Sequence, residues 1–487
     1  MTPTYGPFRL EINGLLHLQS SLRIGSPDQL DLATDMPVLR LGGKPYLPGS
    51  SLRGVLRAHL AREHSLLGCN QDTLQSLFGH AGPWREDDAQ TCRGRLRIFD
   101  SFPKDLPAEF EIRDHVRISP ETGAAEERAK FDRENIPLTT SWVSPLRIIY
   151  EGEKADDEEL ILLGEALRAL ENAELTFGSN SSIGFGRLKL EQRTVIVLDR
   201  SSAAGLLAFL RSRLPAPVTV PPTQFEFPKP KPPIAGAAQN APWNSLTFEV
   251  QLRGGPVLIK APKPPVKDKA KPDFTFVTKV GSHQPYIPGS GLRGILRHRA
   301  ELICASQHVG SSLVSTLFGS AKDDGSGSRG LLKFDDGSVS SIASVKSDHV
   351  ALDRITQAAA DGKKFDDEAL DSPCITFQIH ISFCESSEHL ASVALLLFLI
   401  RDLLAQPCPI AIGSQSSRGY GTIQSANLQT LRGSFHGGLG AKVAHHATPE
   451  LRPGRTAFHG PGGAIFPLLC AEFNPAWQHV RGREVVA

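Results

Sequence analysis

The chain has 487 residues, about three domains' worth at roughly 150 residues each. Hydrophobic residues make up 40% and charged residues 22%, a balance that excludes wholesale disorder. Lysine and arginine number 53 against 52 acidic residues, a formal net charge of +1, so a uniformly basic nucleic-acid coat is excluded and only local basic grooves remain open.

The first element is PFRLEINGLLHLQSSLRI (7–24), whose alternation predicts a half-buried strand or hairpin. PYLPGSSLRGVLRA (45–58) follows. Leu52, Val55, Leu56 and Leu60 fall on one face of a helix there, with Ser50 or Ser51 as its expected cap. Arg53 and Arg57, four residues apart, share another face. A helix start offers amide donors and the positive end of a dipole, so this segment outlines an anion site. It is not a nucleotide P-loop, because G-x-x-x-x-G-K-[ST] is absent. DHV (114–116) and KFDRE (130–134) then predict an inserted β-hairpin. DDEELILLGEALRALENA (156–173) predicts a second helix, and FGSNSSIGFGRL (177–188) a glycine-rich loop leading to a final strand. Gly178, Gly184 and Gly186 are expected to let the backbone approach a ligand, while Ser179 and Ser181 offer hydroxyls to phosphate oxygens.

Every block recurs downstream, in the same order. PYIPGSGLRGILRH (285–298) repeats the helix start, with Ser290, Arg293 and Arg297 in place of Ser50, Arg53 and Arg57. LFG at 77–79 returns at 317–319, and RGRLRIFD (93–100) as RGLLKFDD (329–336). DHV (348–350) and KFDDE (364–368) repeat the hairpin block, and IGSQSSRGYGTI (412–423) repeats the loop, with Gly413, Ser414, Ser416 and Arg418. The offsets stay between 234 and 240. The chain is therefore a tandem duplication, read as a first domain over 1–212 and a second over 245–432. Between them lies a proline-rich, extended linker (213–244), and a Gly/His/Pro-rich extension (433–487) without clear periodicity follows.

Seven scattered cysteines without a C-x-x-C pair read as free thiols. The apolar run ASVALLLFLIRDLLA (391–405) is interrupted by Arg401 and Asp402, so no membrane span is expected. No secretory leader is visible at the N-terminus, and the expected location is cytoplasmic.

In combination PYLPGSSLRG and PYIPGSGLRG, the loops GSNSSIGFGR and GSQSSRGYGT, and the DHV…KFDRE arms resemble the RAMP (repeat-associated mysterious protein) superfamily of CRISPR systems, above all the backbone subunits of type III effector complexes. The resemblance covers both halves and leaves out only the linker and tail. It implies an α+β fold: two tandem RRM-like (ferredoxin-like) domains, each with an inserted thumb hairpin. The implied partners are a CRISPR guide RNA, the target RNA paired with it and other type III effector subunits. The thumbs, carrying His115 and Phe131 in one copy and His349 and Phe365 in the other, are implied to wedge into the guide–target duplex.

In that branch an aspartate on the loop before the P-G-S helix supports cleavage of target RNA. Asp35, directly before Met36–Pro37–Val38, matches, with Asp31 as the fallback. Asp273 is its counterpart, two residues farther from its P-G-S and in a lysine-rich stretch, Lys260–Lys279. The chemistry expected is attack of the RNA 2′-hydroxyl on the neighbouring phosphate, with Asp35 as general base or as ligand of a divalent cation, Mg2+ by default. Ser50, Ser51, Arg53, Arg57, Arg187, Arg293, Arg297, Arg418 and the loop glycines and serines are the expected contacts to guide phosphates. A non-catalytic guide-binding subunit and a guide-processing endoribonuclease of the same superfamily are the alternative readings.

Overall fold

The structure is a computed structural model that describes residues 7–26, 34–80, 92–106, 109–119, 122–138, 142–211, 225–231, 243–261, 272–320, 327–340, 343–436, 447–449 and 455–484. In the first half the elements are β1 (Phe8–Leu18), α1 (Gly49–Glu63), α2 (Gln71–Phe78), β2 (Leu96–Ile98), β3 (Glu111–Ile118), β4 (Ala125–Asn135), β5 (Val143–Gly152), α3 (Asp157–Glu171), β6 (Leu188–Asp199) and α4 (Ala203–Arg211). The second half follows the same order, without a counterpart of α4 and with a short strand added after its first, as β7 (Asn244–Gly254), β8 (Phe274–Thr275), α5 (Gly289–Ser306), α6 (Ser312–Phe318), β9 (Leu332–Phe334), β10 (Ser344–Leu352), β11 (Ala359–Leu370), β12 (Cys374–Phe383), α7 (Ser387–Leu404) and β13 (Ile423–His436), and then adds β14 (Arg455–Pro461) and α8 (Gly462–Glu484).

Alternation in the first strand places Leu10, Ile12 and Leu16 in the core, and its sheet runs β6–β1–β5–β2, antiparallel throughout. That is the β-α-β-β-α-β order of a ferredoxin-like domain. The second sheet keeps the order as β13–β7–β12–β9. Leu52, Leu56 and Leu60 form the buried stripe of α1, and Asp156 caps α3 by accepting from the Glu158 and Glu159 amides at 3.1 and 3.2 Å. The apolar run over 391–405 is the buried helix α7. Among the described residues no helix is long and apolar enough to cross a membrane.

The P-G-S helices begin differently from expectation. Neither Ser50 nor Ser51 caps α1: Pro48 holds that position with no side-chain bond. Instead the Gly49 amide donates to Asp100 Oδ1 at 2.7 Å, and the Gly289 amide to Asp336 Oδ1 at 2.8 Å. A carboxylate of the repeated RGRLRIFD/RGLLKFDD block thus occupies each helix N-terminus, which the dipole favours. A β-carbon on Gly49 would overlap the Ile98 carbonyl, and one on Gly289 would come within 2.7 Å of the Phe334 carbonyl oxygen. Glycine is needed there because the helix start lies against the neighbouring strand.

Two further points concern the edges of the domains. The boundary drawn at 432 falls inside β13, which runs on to His436. The extension beyond it is built structure: β14 pairs with β13, and α8 packs Ile465, Leu469, Phe473 and Trp477 into the second core. Of the linker, residues 225–231 lie on the first domain, with Phe225 and Phe227 against its core and Lys231 Nζ 2.9 Å from Glu158.

Candidate nucleic-acid interface

Both hairpin blocks form antiparallel hairpins, β3/β4 and β10/β11. His115 pairs across strands with Phe131, and His349 with Phe365. The rings stack at 5.2 and 4.8 Å. Beyond each stack the hairpins hold apolar side chains in solvent: Val116 and Ile118 on one, Val350, Leu352 and Ile355 on the other, the last 92% exposed. Exposed apolar side chains clustered on a projecting arm point to a surface that meets a partner.

At the base of each hairpin two aspartates lock together. The Asp35 amide donates to Asp132 Oδ1 at 2.7 Å, and the Asp132 amide donates to Asp35 Oδ2 at 3.0 Å. In the second domain the Asp273 amide donates to Asp366 Oδ1 at 2.9 Å and the Asp366 amide to Asp273 Oδ2 at 3.4 Å. Asp35 and Asp273 therefore occupy equivalent places despite their different distances from P-G-S. Asp31 lies outside the described residues. Asp132 and Asp366, the aspartates of KFDRE and KFDDE, were not singled out from the sequence, although the repeat contains them. Among the described residues no group of three or more His, Cys, Asp or Glu converges. A hard divalent cation that keeps most of its waters needs only one or two carboxylates, and the Asp35–Asp132 pair fits that donor set.

The glycine loops serve the fold more directly than expected. Gly178 and Gly413 have φ of +76° and +93° and press on the carbonyls of Arg23 and Leu258, while Gly186 and Gly421 press on those of Phe177 and Ile412. Their close approaches are to the protein's own backbone. Ser179 Oγ accepts from Arg23 Nη1 at 2.7 Å, Ser181 Oγ from Arg329 Nη2 at 2.7 Å, and Ser414 Oγ donates to the Leu258 carbonyl at 2.9 Å. Ser416 and Arg418 are exposed, with Arg418 5.2 Å from the Phe365 ring centroid. Four of the expected phosphate contacts have other partners. Arg53 and Arg293 donate to the carbonyls of Phe78 and Phe318 that end α2 and α6. Arg297 donates to Gly319 and pairs with Glu301, and Arg187 pairs with Asp335 of the other domain. Arg57 and Ser50 are exposed, and Ser51 and Ser290 are half-buried.

A second set of cations, Arg187 apart, emerges only from the fold. Lys333 is held down to about 8 by burial and by Arg329, Arg62 and Arg187 around it. These groups line the seam between the first glycine loop and the second domain. Beneath the same loop Arg133 Nη1 donates to Asn180 Oδ1 at 2.6 Å, next to Arg23.

Two ferredoxin-like units in tandem, each with a hairpin, a glycine loop and a locked pair of aspartates, define a duplicated RRM-like protein. The family model described as "RAMP superfamily" matches it twice, over residues 16–189 and 255–424, and the chain belongs to that superfamily. It is also 25% identical over 201 residues, 38% of this chain and 88% of the relative, to the "CRISPR system Cms endoribonuclease Csm3" of Streptococcus thermophilus.

Proposed function

We propose that the chain is a double backbone subunit of a type III CRISPR ribonucleoprotein, which holds a guide RNA by its sugar–phosphate chain and cuts the paired target RNA beside each hairpin. The observation that carries this is the reciprocal aspartate lock at the hairpin base, present once in each domain. The endoribonuclease name of the relative supports the reaction class. The hairpins act as thumbs: Ile355, Leu352 and Val350 on one and Val116 and Ile118 on the other enter the duplex and displace a nucleotide pair.

The displaced nucleotide brings its 2′-oxygen into line with the adjacent phosphorus. Asp35 takes the 2′-hydroxyl proton as the P–O5′ bond breaks, leaving a 2′,3′-cyclic phosphate and, with a proton from water, a 5′-hydroxyl. Asp132 is the positioning residue that fixes Asp35, and Asp273 with Asp366 repeats the arrangement. Mg2+ held by the two carboxylates would supply neutralisation of charge on the phosphate.

The test is cleavage of a target RNA by the assembled complex carrying Asp35→Asn or Asp273→Asn. Asparagine still accepts the Asp132 or Asp366 amide, so the loops hold. Each substitution is expected to slow one cut of a pair by about 10²–10⁴-fold, with RNA affinity unchanged within about threefold, and chelation with EDTA to stop both. Two undiminished cuts in the Asp35→Asn/Asp273→Asn double variant overturn the catalytic reading.

A further inference from the structure

The two domains differ beneath their glycine loops. Equivalent positions are set by the backbone: the Ser179 amide donates to the Arg23 carbonyl at 2.8 Å, and the Ser414 amide to the Leu258 carbonyl at 2.9 Å. Asn180 and Gln415 both take left-handed φ, 65° and 63°. Across the hairpins Arg133 faces Arg113, and Asp367 faces Ser347. Arg23, Arg133, Asn180 and His115 in the first domain therefore correspond to Leu258, Asp367, Gln415 and His349 in the second.

The second set is complete in itself. Asp367 is fully buried and accepts from Gln415 Nε2 at 2.7 Å, Tyr420 Oη at 3.2 Å and His349 Nε2 at 2.9 Å. The first set has the donors without the carboxylate. Arg23 is 7% exposed, and Arg23 Nε, Arg133 Nε, Asn180 Nδ2 and His115 Nε2 are buried with no partner among the described residues. Glu134, the carboxylate that acts on Arg23, is already bound to Arg40 at 2.6 Å and the Val38 amide at 2.8 Å.

We infer that Arg23, Arg133, Asn180 and His115 form a phosphate-binding pocket that the first domain leaves without a carboxylate of its own and the second has filled with one. Three orphaned N–H donors, an unpartnered imidazole nitrogen and two guanidinium groups match a tetrahedral oxyanion. Its occupant is a backbone phosphodiester of bound RNA, an assignment that rests on the proposed function. The two domains consequently grip one strand unequally, with the first as the anchor.

The experiment measures binding of a fluorescein-labelled single-stranded RNA of about 20 nucleotides to the full chain over a range of salt concentrations. Arg23→Leu/Arg133→Asp, which copies residues that the second domain already folds with, is expected to weaken binding about tenfold and to flatten the salt slope by about 0.7, the value of one phosphate on a single strand. Asp367→Asn in the second domain should leave the slope unchanged. In parallel, NMR of the wild-type His115 ring follows titration with RNA or with inorganic phosphate alone, and RNA is expected to shift it. An unchanged salt slope in the arginine variant overturns the pocket while the RNA-binding reading stands. A ring that answers inorganic phosphate but not RNA overturns the phosphodiester assignment. Failure of the wild type to bind RNA overturns the proposed function, and an unmoved ring in phosphate then overturns the pocket as well.

Discussion

His115 and His349 stack on phenylalanines in the same way but stand in opposite electrostatic surroundings. His349 has Asp367 at 2.9 Å, whereas burial, Arg133 and Arg113 push His115 down to about 4, against a minor opposing effect of Asp114. An unfolded histidine titrates near ~6.5. Between that pH and about 4 the unfolded chain binds the extra proton, so the stability linked to His115 is present above ~6.5 and is lost as pH falls towards 4. The loss amounts to about 3 kcal/mol at most, from roughly 1.4 kcal/mol per pH unit. Replacing His115 by Phe keeps a ring on Phe131 and removes the titration. Urea denaturation from neutral pH to about pH 4.5 should therefore show a shallower decline for His115→Phe than for the wild type; equal declines would remove His115 from the account. Bound phosphate acts in the other direction, because it favours the imidazolium and raises this group.

At the scale of elements, the P-G-S helix shows how far local pattern reaches. Its apolar stripe of Leu52, Leu56 and Leu60 follows from spacing alone. Its cap does not, because the carboxylate that takes the Gly49 amide is Asp100, 51 residues away. Asp100→Ala leaves that amide without its acceptor and should lower stability by about 1 kcal/mol, within the 0.5–2 of helix caps, with Asp100→Asn much milder; urea titration of both variants measures this. The candidate site divides along the same line. Asp35 stands out from its loop motif, but its lock to Asp132, 97 residues on, appears only when β4 brings KFDRE back to that loop. The hairpins, the duplication and the α3 and α7 helices are legible because each is a local pattern. Arg23 is not, since it lies in an alternating stretch that reads as strand and its neighbours come from β4 and the glycine loop. The helix α8 escapes sequence reading for another reason. Pro467 and Pro475 interrupt its pattern, and both are exposed, so its buried face is defined only by its contacts in the fold, with Trp477 5.1 Å from Phe398 of α7 and Phe473 5.8 Å from Phe383 of β12.

At the scale of the whole molecule, the two domains are joined by buried charge as well as by the chain. Arg113, at the base of the first hairpin, is 7% exposed and meets Asp336 at 2.9 Å and Glu111 at 3.0 Å. Its guanidinium lies 4.6 Å from the Phe185 ring centroid and 4.8 Å from that of Tyr286, and the Tyr286 hydroxyl donates to Glu111 at 3.2 Å. Asp336 is also the cap of α5, so one carboxylate ties the second P-G-S helix to the first hairpin. That linkage, with the Arg187–Asp335 pair and the Arg329–Ser181 bond, holds the two halves against each other. Removing one partner of a buried pair leaves the other charge uncompensated, a loss of about 3–5 kcal/mol. Arg113→Met is therefore expected to destabilise the chain by that amount. Adding Asp336→Asn, which can still accept the Gly289 amide, should restore at least about 1 kcal/mol of it, since one of the two carboxylates that Arg113 meets, Asp336 rather than Glu111, is then no longer a stranded charge. Urea unfolding followed by tryptophan fluorescence reads both domains, because Trp142 lies in the first and Trp477 in the second, each buried. If the two substitutions are simply additive, Arg113 and Asp336 are not coupled, and the two halves must be held together elsewhere in the seam.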